Sequence, residues 1–234
     1  MQHLKHIIWD WNGTLLDDTQ ACVNSVNKML ADRNLPTLTV QRYREVFGFP
    51  VSGFYSEIGF AMEDEDWDAM AVEFHDLFLS DRSIKLHSET RAVLGQLQER
   101  GVIQSILSAS KHSILDGMIQ EYELDTYFHR IAGIDNLYGD SKLSVGRALI
   151  EDLDVPRTSI LMIGDSLHDY EVSVDLGIDC LLIAQGHQSF ERLASAGVPV
   201  LYSLGDLFTY IENDHEGLKG LKGLRVERLK RLKG

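Results

Sequence analysis

Along this chain, short and mainly apolar runs at residues 4–9, 102–107, 131–134, 160–163, 180–183 and 200–201 alternate with longer amphipathic stretches. Runs that are apolar on successive positions read as strands buried on both faces, and intervening helical periods read as crossovers of a parallel sheet. The helical pattern at 89–100 stops at Gly101, a C′ glycine, and the one at 144–152 stops before Val155-Pro156, where proline disfavours continuation.

One stretch breaks the alternation. From residue 19 to 83 no buried strand is legible, only helical spacing: Cys22, Val26, Met29 and Leu30, then Tyr43, Val46 and Phe47, then Trp67, Met70, Ala71, Phe74, Leu77 and Phe78. This is far more chain than a crossover needs, so it predicts an inserted helical unit. The acidic run Glu63-Asp64-Glu65-Asp66 is expected to open one of its helices, where carboxylates suit the macrodipole.

Composition narrows the function classes. The chain has 234 residues with 44% hydrophobic, and 36 acidic against 22 basic side chains give a net charge of −14. Such a body repels nucleic acid and anionic membrane. The segment 217–234 departs from this with seven Lys or Arg against Glu227 alone. Its glycines at 217, 220 and 223 argue against a stable helix before Leu224. No apolar run approaches the ~18 residues of a membrane helix. Cys22 and Cys180 show no metal-ligand spacing; a reducing, cytoplasmic setting is expected.

Ligands of open parallel sheets bind beyond the carboxyl ends of the strands. Three such ends carry reactive polar residues: Asp10-Trp11-Asn12-Gly13-Thr14-Leu15, Ser108-Ala109-Ser110, and Gly164-Asp165-Ser166-Leu167-His168-Asp169. Lys142 precedes the strand at 160–163. Phosphoryl transfer needs a nucleophile, a cation to neutralise the phosphate oxygens, and in-line geometry. A strand-end carboxylate can supply the nucleophile, and Asp10 is the candidate. Backbone N–H groups around Gly13 and Thr14 can face a phosphate. Ser108 and the N–H of Ala109, opening a helix to about residue 122, add donors; Lys142 adds a point charge.

In order, Asp-x-Asn-Gly-Thr-Leu, Ser108, Lys142 and Gly-Asp-x-x-x-Asp resemble the four motifs of the haloacid dehalogenase-like superfamily over residues 4–212. The insert resembles the C1 cap of its phosphoglycolate phosphatase and β-phosphoglucomutase branch. The resemblance implies an α/β fold: a Rossmann-like parallel sheet core at 1–16 and 86–216, an inserted α-helical cap at 17–85, and the basic tail at 217–234. It implies a Mg²⁺-dependent phosphatase acting on a small phosphorylated metabolite through an aspartyl-phosphate, as monomer or homodimer. Asp10, the Asn12 carbonyl and Asp165 would bind the metal. Asp169 joins these carboxylates and is expected to orient Lys142 or a water on the metal. Catalysis falls to Asp10, Asn12, Ser108 and Lys142, and phosphate binding to Gly13, Thr14, Ser108, Ala109 and Lys142.

Substrate identity falls to the cap, where Arg44 is the candidate anion contact among Arg42, Tyr43, Phe49 and Pro50. His112, His168 and the run Gly186-His187-Gln188 are candidate contacts from the core. The sequence departs from the family at Asn12, where aspartate is usual as general acid and base. An amide cannot move that proton, help typically worth about 10²–10⁴-fold. Substrates with good leaving groups, a slow pseudo-phosphatase binding protein and a phosphomutase are the alternatives this raises.

Overall fold

The computed structural model describes residues 4–139 and 141–213. The basic tail at 217–234, and its expected lack of helix, lie outside the described residues. The chain begins with β1 (His6–Trp9), passes β2 (Leu16–Asp17), and then forms α1 (Thr19–Asp32), α2 (Val40–Val46), α3 (Val51–Glu57) and α4 (Trp67–Ser80). It returns through β3 (Lys85–Leu86), followed by α5 (Thr90–Glu99), β4 (Ile103–Lys111), α6 (His112–Glu121) and β5 (Arg130–Ile134). Next come α7 (Leu143–Glu151), β6 (Ile160–Gly164), α8 (Leu167–Leu176) and β7 (Asp179–Ile183). The last elements are α9 (Phe190–Ala194), β8 (Val200–Leu201) and α10 (Leu207–Asn213).

Six strands form one sheet in the order β5-β4-β1-β6-β7-β8, every pairing parallel. All four residues of β1 are buried, as a strand covered by helices on both faces requires. Its two polar side chains pair inside the sheet: His6 Nε2 lies 2.9 Å from Ser105 Oγ, and Trp9 Nε1 donates to Gln104 Oε1 at 3.1 Å. Strand β1 lies between β4 and β6, so successive connections leave it in opposite directions and open a crevice at its carboxyl end.

The insert leaves and re-enters the core through a two-stranded antiparallel ribbon, with Leu16 opposite Leu86 and Asp17 opposite Lys85. Asp66, ending the acidic run, caps α4 by accepting the Ala69 N–H at 3.1 Å. Its neighbour Glu65 binds Arg33 at 2.5 and 2.9 Å, tying α4 to the end of α1. Buried residues of the insert and of the sheet form one hydrophobic cluster, from Ile7 and Trp9 to Phe54, Met70 and Phe78.

One expectation is corrected. The strand expected to end at residue 107 continues to Lys111, with a register irregularity before pairing resumes between Lys111 and Ile134. Ser108, Ala109 and Ser110 are therefore strand residues, and Ala109 does not open a helix, because α6 begins at His112. A polar run that spans the register irregularity leaves no apolar period by which to recognise it as strand.

Candidate active site

The crevice is built first from the loop after β1. Asp10 N–H donates to Ile163 O at 2.8 Å, which continues the sheet and fixes the carboxylate at its rim. The chain then turns tightly, with Leu15 and Leu16 N–H both reaching Trp11 O at 3.0 Å. Gly13 adopts φ +73° in this turn, and a Cβ there would collide with the Asp165 carboxylate and the His187 ring. Only glycine serves where left-handed backbone meets so close an approach.

Lys142 stands at the cap position of α7 and is only 1% exposed. Its ammonium donates to Asp10 Oδ1, to Asp169 Oδ1 at 2.6 Å and to Leu107 O at 2.9 Å. Three partners use all three of its protons. Asp169 is held from the other side by Ser166, whose N–H and Oγ donate to Oδ2 at 3.0 and 2.7 Å. The Thr14 hydroxyl lies 3.2 Å from Asp165 Oδ1 and 3.4 Å from Asp10 Oδ2, linking the two. Asp165 also accepts the His187 N–H at 2.5 Å.

Three buried carboxylates thus lie about one ammonium, whose protons go to two of them, Asp10 and Asp169, and to Leu107 O. Burial pushes the Asp10 carboxyl up to about 8, against the pull of Lys142, and the charges of Asp169 and Asp165 push the same way. Burial likewise raises Asp165 to about 6, opposed by His187 and reinforced by Asp169. Asp169 is shifted by burial in the same direction, but Lys142 and Ser166 outweigh it and hold this carboxyl below its ordinary value. Lys142 is destabilised as a cation by burial, yet Asp10 and Asp169 overcome this and raise it. One ligand oxygen from each of Asp10, Asp165 and Asp169 lies within 4.8 Å of the others. An all-oxygen, charge-deficient cluster of this kind suits a hard divalent cation.

A family model for haloacid dehalogenase-like hydrolase matches residues 7–183. The chain belongs to that hydrolase family. It is 24% identical over 201 residues to a phosphoglycolate phosphatase of Pseudomonas syringae pv. tomato, covering 81% of this chain and 73% of that protein. It is 22% identical over 190 residues to an N-acetylmuramic acid 6-phosphate phosphatase of Pseudomonas putida, covering 79% and 84%. A haloacid dehalogenase-like family hydrolase from Streptococcus pneumoniae has the same fold, with a TM-score of 0.77 at 16% identity, covering 90% of this chain and all of the other.

In this haloacid dehalogenase-like hydrolase Asp10, Asn12, Ser108, Ala109, Lys142, Asp165 and Asp169 all border one cavity beneath the insert. Other expected contacts lie elsewhere. The Gly13 N–H donates to Asp18 Oδ1 at 2.8 Å, and Thr14 N–H to Trp11 O at 3.3 Å, so in this structure both are engaged inside the turn. Arg44 donates Nε to Gly186 O at 2.8 Å and Nη2 to Gln185 O at 2.9 Å. It clamps the insert to the loop after β7, whose carbonyls need donors, and does not reach into the cavity. His112 is exposed and outside the cavity wall, whereas His168 and His187 line it.

Sequence reasoning passed over Asp18. It is fully buried, accepts Asn12 Nδ2–H at 2.6 Å, and lies 3.2 Å from His187 Nε2. The other His187 nitrogen, Nδ1, lies 3.1 Å from Tyr43 Oη. Burial works against a charged His187, but Asp18 outweighs it and raises the imidazole to about 9. An aspartate directly before a helix reads as a helix cap, which hid it.

Proposed function

We propose that this haloacid dehalogenase-like phosphatase hydrolyses small phosphate monoesters through an aspartyl-phosphate on Asp10, with Mg²⁺ as cofactor. An Asp10 oxygen attacks phosphorus, the ester P–O bond breaks, and the departing oxygen leaves with the electron pair and takes a proton from water. Water then attacks phosphorus, the bond to Asp10 breaks, and inorganic phosphate and the free carboxylate result. The proton lost by the attacking water closes the balance.

The observation that carries this reading is the division of the Lys142 ammonium between Asp10, Asp169 and Leu107 O at the sheet's carboxyl edge. It orients the Asp10 carboxylate and keeps a positive charge beside the position of the phosphoryl group. Ser108, 1% exposed at the cavity wall, supports a hydroxyl contact to that group.

Asp10 and Asp165 would hold the magnesium, with the Asn12 carbonyl, as the resemblance implies, and Asp169, held by the Lys142 ammonium and by both the N–H and the hydroxyl of Ser166, would orient Lys142. When bound, the cation neutralises phosphate oxygens and relieves the crowding of buried carboxylates. The buried cysteines Cys22 and Cys180 are unpaired, which supports the reducing, cytoplasmic setting proposed for the enzyme.

The test is turnover of para-nitrophenyl phosphate with Mg²⁺ and with excess chelator. Steady turnover that needs Mg²⁺ and disappears in Asp10→Asn is the expected result. Turnover surviving in Asp10→Asn would overturn the assignment of the nucleophile.

A further inference from the structure

The carboxylates stand at one end of a cavity of about 150 Å³ between insert and core. Its wall is dominated by rings, among them Tyr43, Phe47, Phe54, Trp67, Phe74 and Phe78. The polar tips of its tyrosines are engaged with protein groups. Tyr43 Oη meets His187 at 3.1 Å, Tyr55 donates to Met29 Sδ at 3.9 Å, and Tyr138 donates to Asp68 Oδ1 at 2.6 Å. Ring faces and edges are left to bound the space.

Its charge is equally specific. Among the described residues lining the cavity, Lys142 is the only lysine or arginine, and its three protons are already placed. His187 is paired with Asp18, and His168 stacks on Phe49 with ring centres 4.3 Å apart. His75 Nδ1 lies 2.7 Å from Ala71 O, and burial holds its imidazole below the ordinary value, so a carboxylate on the substrate's organic part would meet no cation that is not already paired, a strongly unfavourable burial. Away from the carboxylates the wall is apolar and ring-lined, and such a space takes a compact apolar guest such as a benzene ring. For aryl phosphates Asn12 points the same way, because an amide cannot protonate a departing alkoxide and phenolic groups leave without such help; for arylmethyl phosphates the argument is the cavity alone.

We propose that this cavity receives the organic part of the substrate and selects a compact aromatic group, making the enzyme a phosphatase of aryl and arylmethyl phosphates and not of phosphorylated hydroxy acids. The assignment rests on the phosphatase reading of the same crevice. It names the group that the phosphate must carry.

The test compares benzyl phosphate with 2-phosphoglycolate on the full-length, Mg²⁺-loaded protein. Both release a primary alcohol, so their kcat/KM ratio reports the cavity and not the leaving group. A preference for benzyl phosphate of at least about thirtyfold is expected, since each buried methylene is worth about fourfold. Ala71→Leu, which fills the cavity from α4, should lower the ratio of benzyl to methyl phosphate by at least about fivefold. Equal or better use of 2-phosphoglycolate overturns the proposal and leaves the phosphatase reading standing. Calorimetry with benzylphosphonate and phosphonoacetate separates the two readings. Tighter binding of benzylphosphonate by tenfold or more, in a protein that hydrolyses nothing, supports the cavity assignment and overturns the phosphatase reading. Equal binding of the two phosphonates overturns the cavity assignment.

Discussion

Asn12 donates its amide N–H to Asp18 Oδ2 at 2.6 Å, while its carbonyl oxygen accepts the Ser110 hydroxyl at 2.6 Å. The amide is therefore oriented by a carboxylate on one side and a donor on the other. An aspartate at position 12 keeps the contact to Ser110 but turns an oxygen toward Asp18. An ionised aspartate here would set two buried acceptors face to face.

Asn12→Asp is accordingly expected to destabilise the fold by about 1–3 kcal/mol, the cost of replacing a charge-assisted hydrogen bond by opposed buried acceptors. The double variant Asn12→Asp, Asp18→Asn reverses the polarity of the pair. It should recover at least about 1 kcal/mol relative to the sum of the single changes. Urea unfolding of the three variants measures this coupling. Strictly additive effects would show that the two side chains do not interact.

Lys142 sets the charge balance of the site. Lys142→Met keeps the volume of the stem and removes the ammonium, leaving Asp10 and Asp169 buried without their shared cation. Removing one partner of a buried ion pair costs about 3–5 kcal/mol, and turnover should fall with it. Lys142→Arg should not restore activity, because a planar guanidinium cannot divide its donors among the three acceptors that the compact ammonium meets. Activity of Lys142→Arg near that of the native protein would count against this geometry.

Much of this architecture is legible in the sequence, for reasons that can be named. Residues 7–9 and 160–163 are buried on both faces, so their apolar character is continuous and readable. The turn after β1 and the Gly-Asp run after β6 carry their chemistry in local order. Lys142 is harder, since a lysine before a helix is ordinarily solvated and only the fold brings it to Asp10, 132 positions away. Asp18 is hidden for the same reason, lying 169 positions from His187 and joined to it only across the crevice. Helical periodicity marks Tyr43, Phe74 and Phe78 as inward-facing. It says nothing of the space left between them, which depends on how four helices meet the sheet.

His6 makes stability depend on pH away from the catalytic groups. Burial, with a smaller contribution from His129, lowers its imidazole to about 4 from an ordinary 6.5. The folded protein therefore keeps His6 neutral where the unfolded chain protonates it. The stabilisation is complete above pH 6.5 and is lost progressively as the pH falls toward 4. The loss amounts to about 2–3 kcal/mol. His6→Gln can keep a hydrogen bond to Ser105 and removes the titration. Native protein should lose that much more stability than the variant between pH 7.5 and 4.5, as measured by denaturant unfolding at the two values.

Magnesium should act on the folded protein even without substrate. Asp10, Asp165 and Asp169 crowd three carboxylates about one ammonium, and a bound divalent cation relieves that excess charge. A ligand that binds only the native state stabilises it by RT ln(1 + [L]/Kd), about 2.7 kcal/mol at a hundredfold excess over Kd. Tm should therefore rise with Mg²⁺ concentration and level off in steepness only logarithmically. Potassium at matched ionic strength separates this from screening, which acts mainly on exposed charges. Asp165→Asn removes one proposed ligand and should abolish most of the Mg²⁺-dependent rise, while itself easing the repulsion at the site. The variant without Mg²⁺ is thus expected to melt at or above the native protein under the same conditions, and below it once Mg²⁺ is saturating. That crossing is specific to a carboxylate retained for a cation. An Asp165→Asn protein that melts lower in both conditions would mean that the hydrogen bonds from Thr14 and the His187 N–H outweigh the charge it removes.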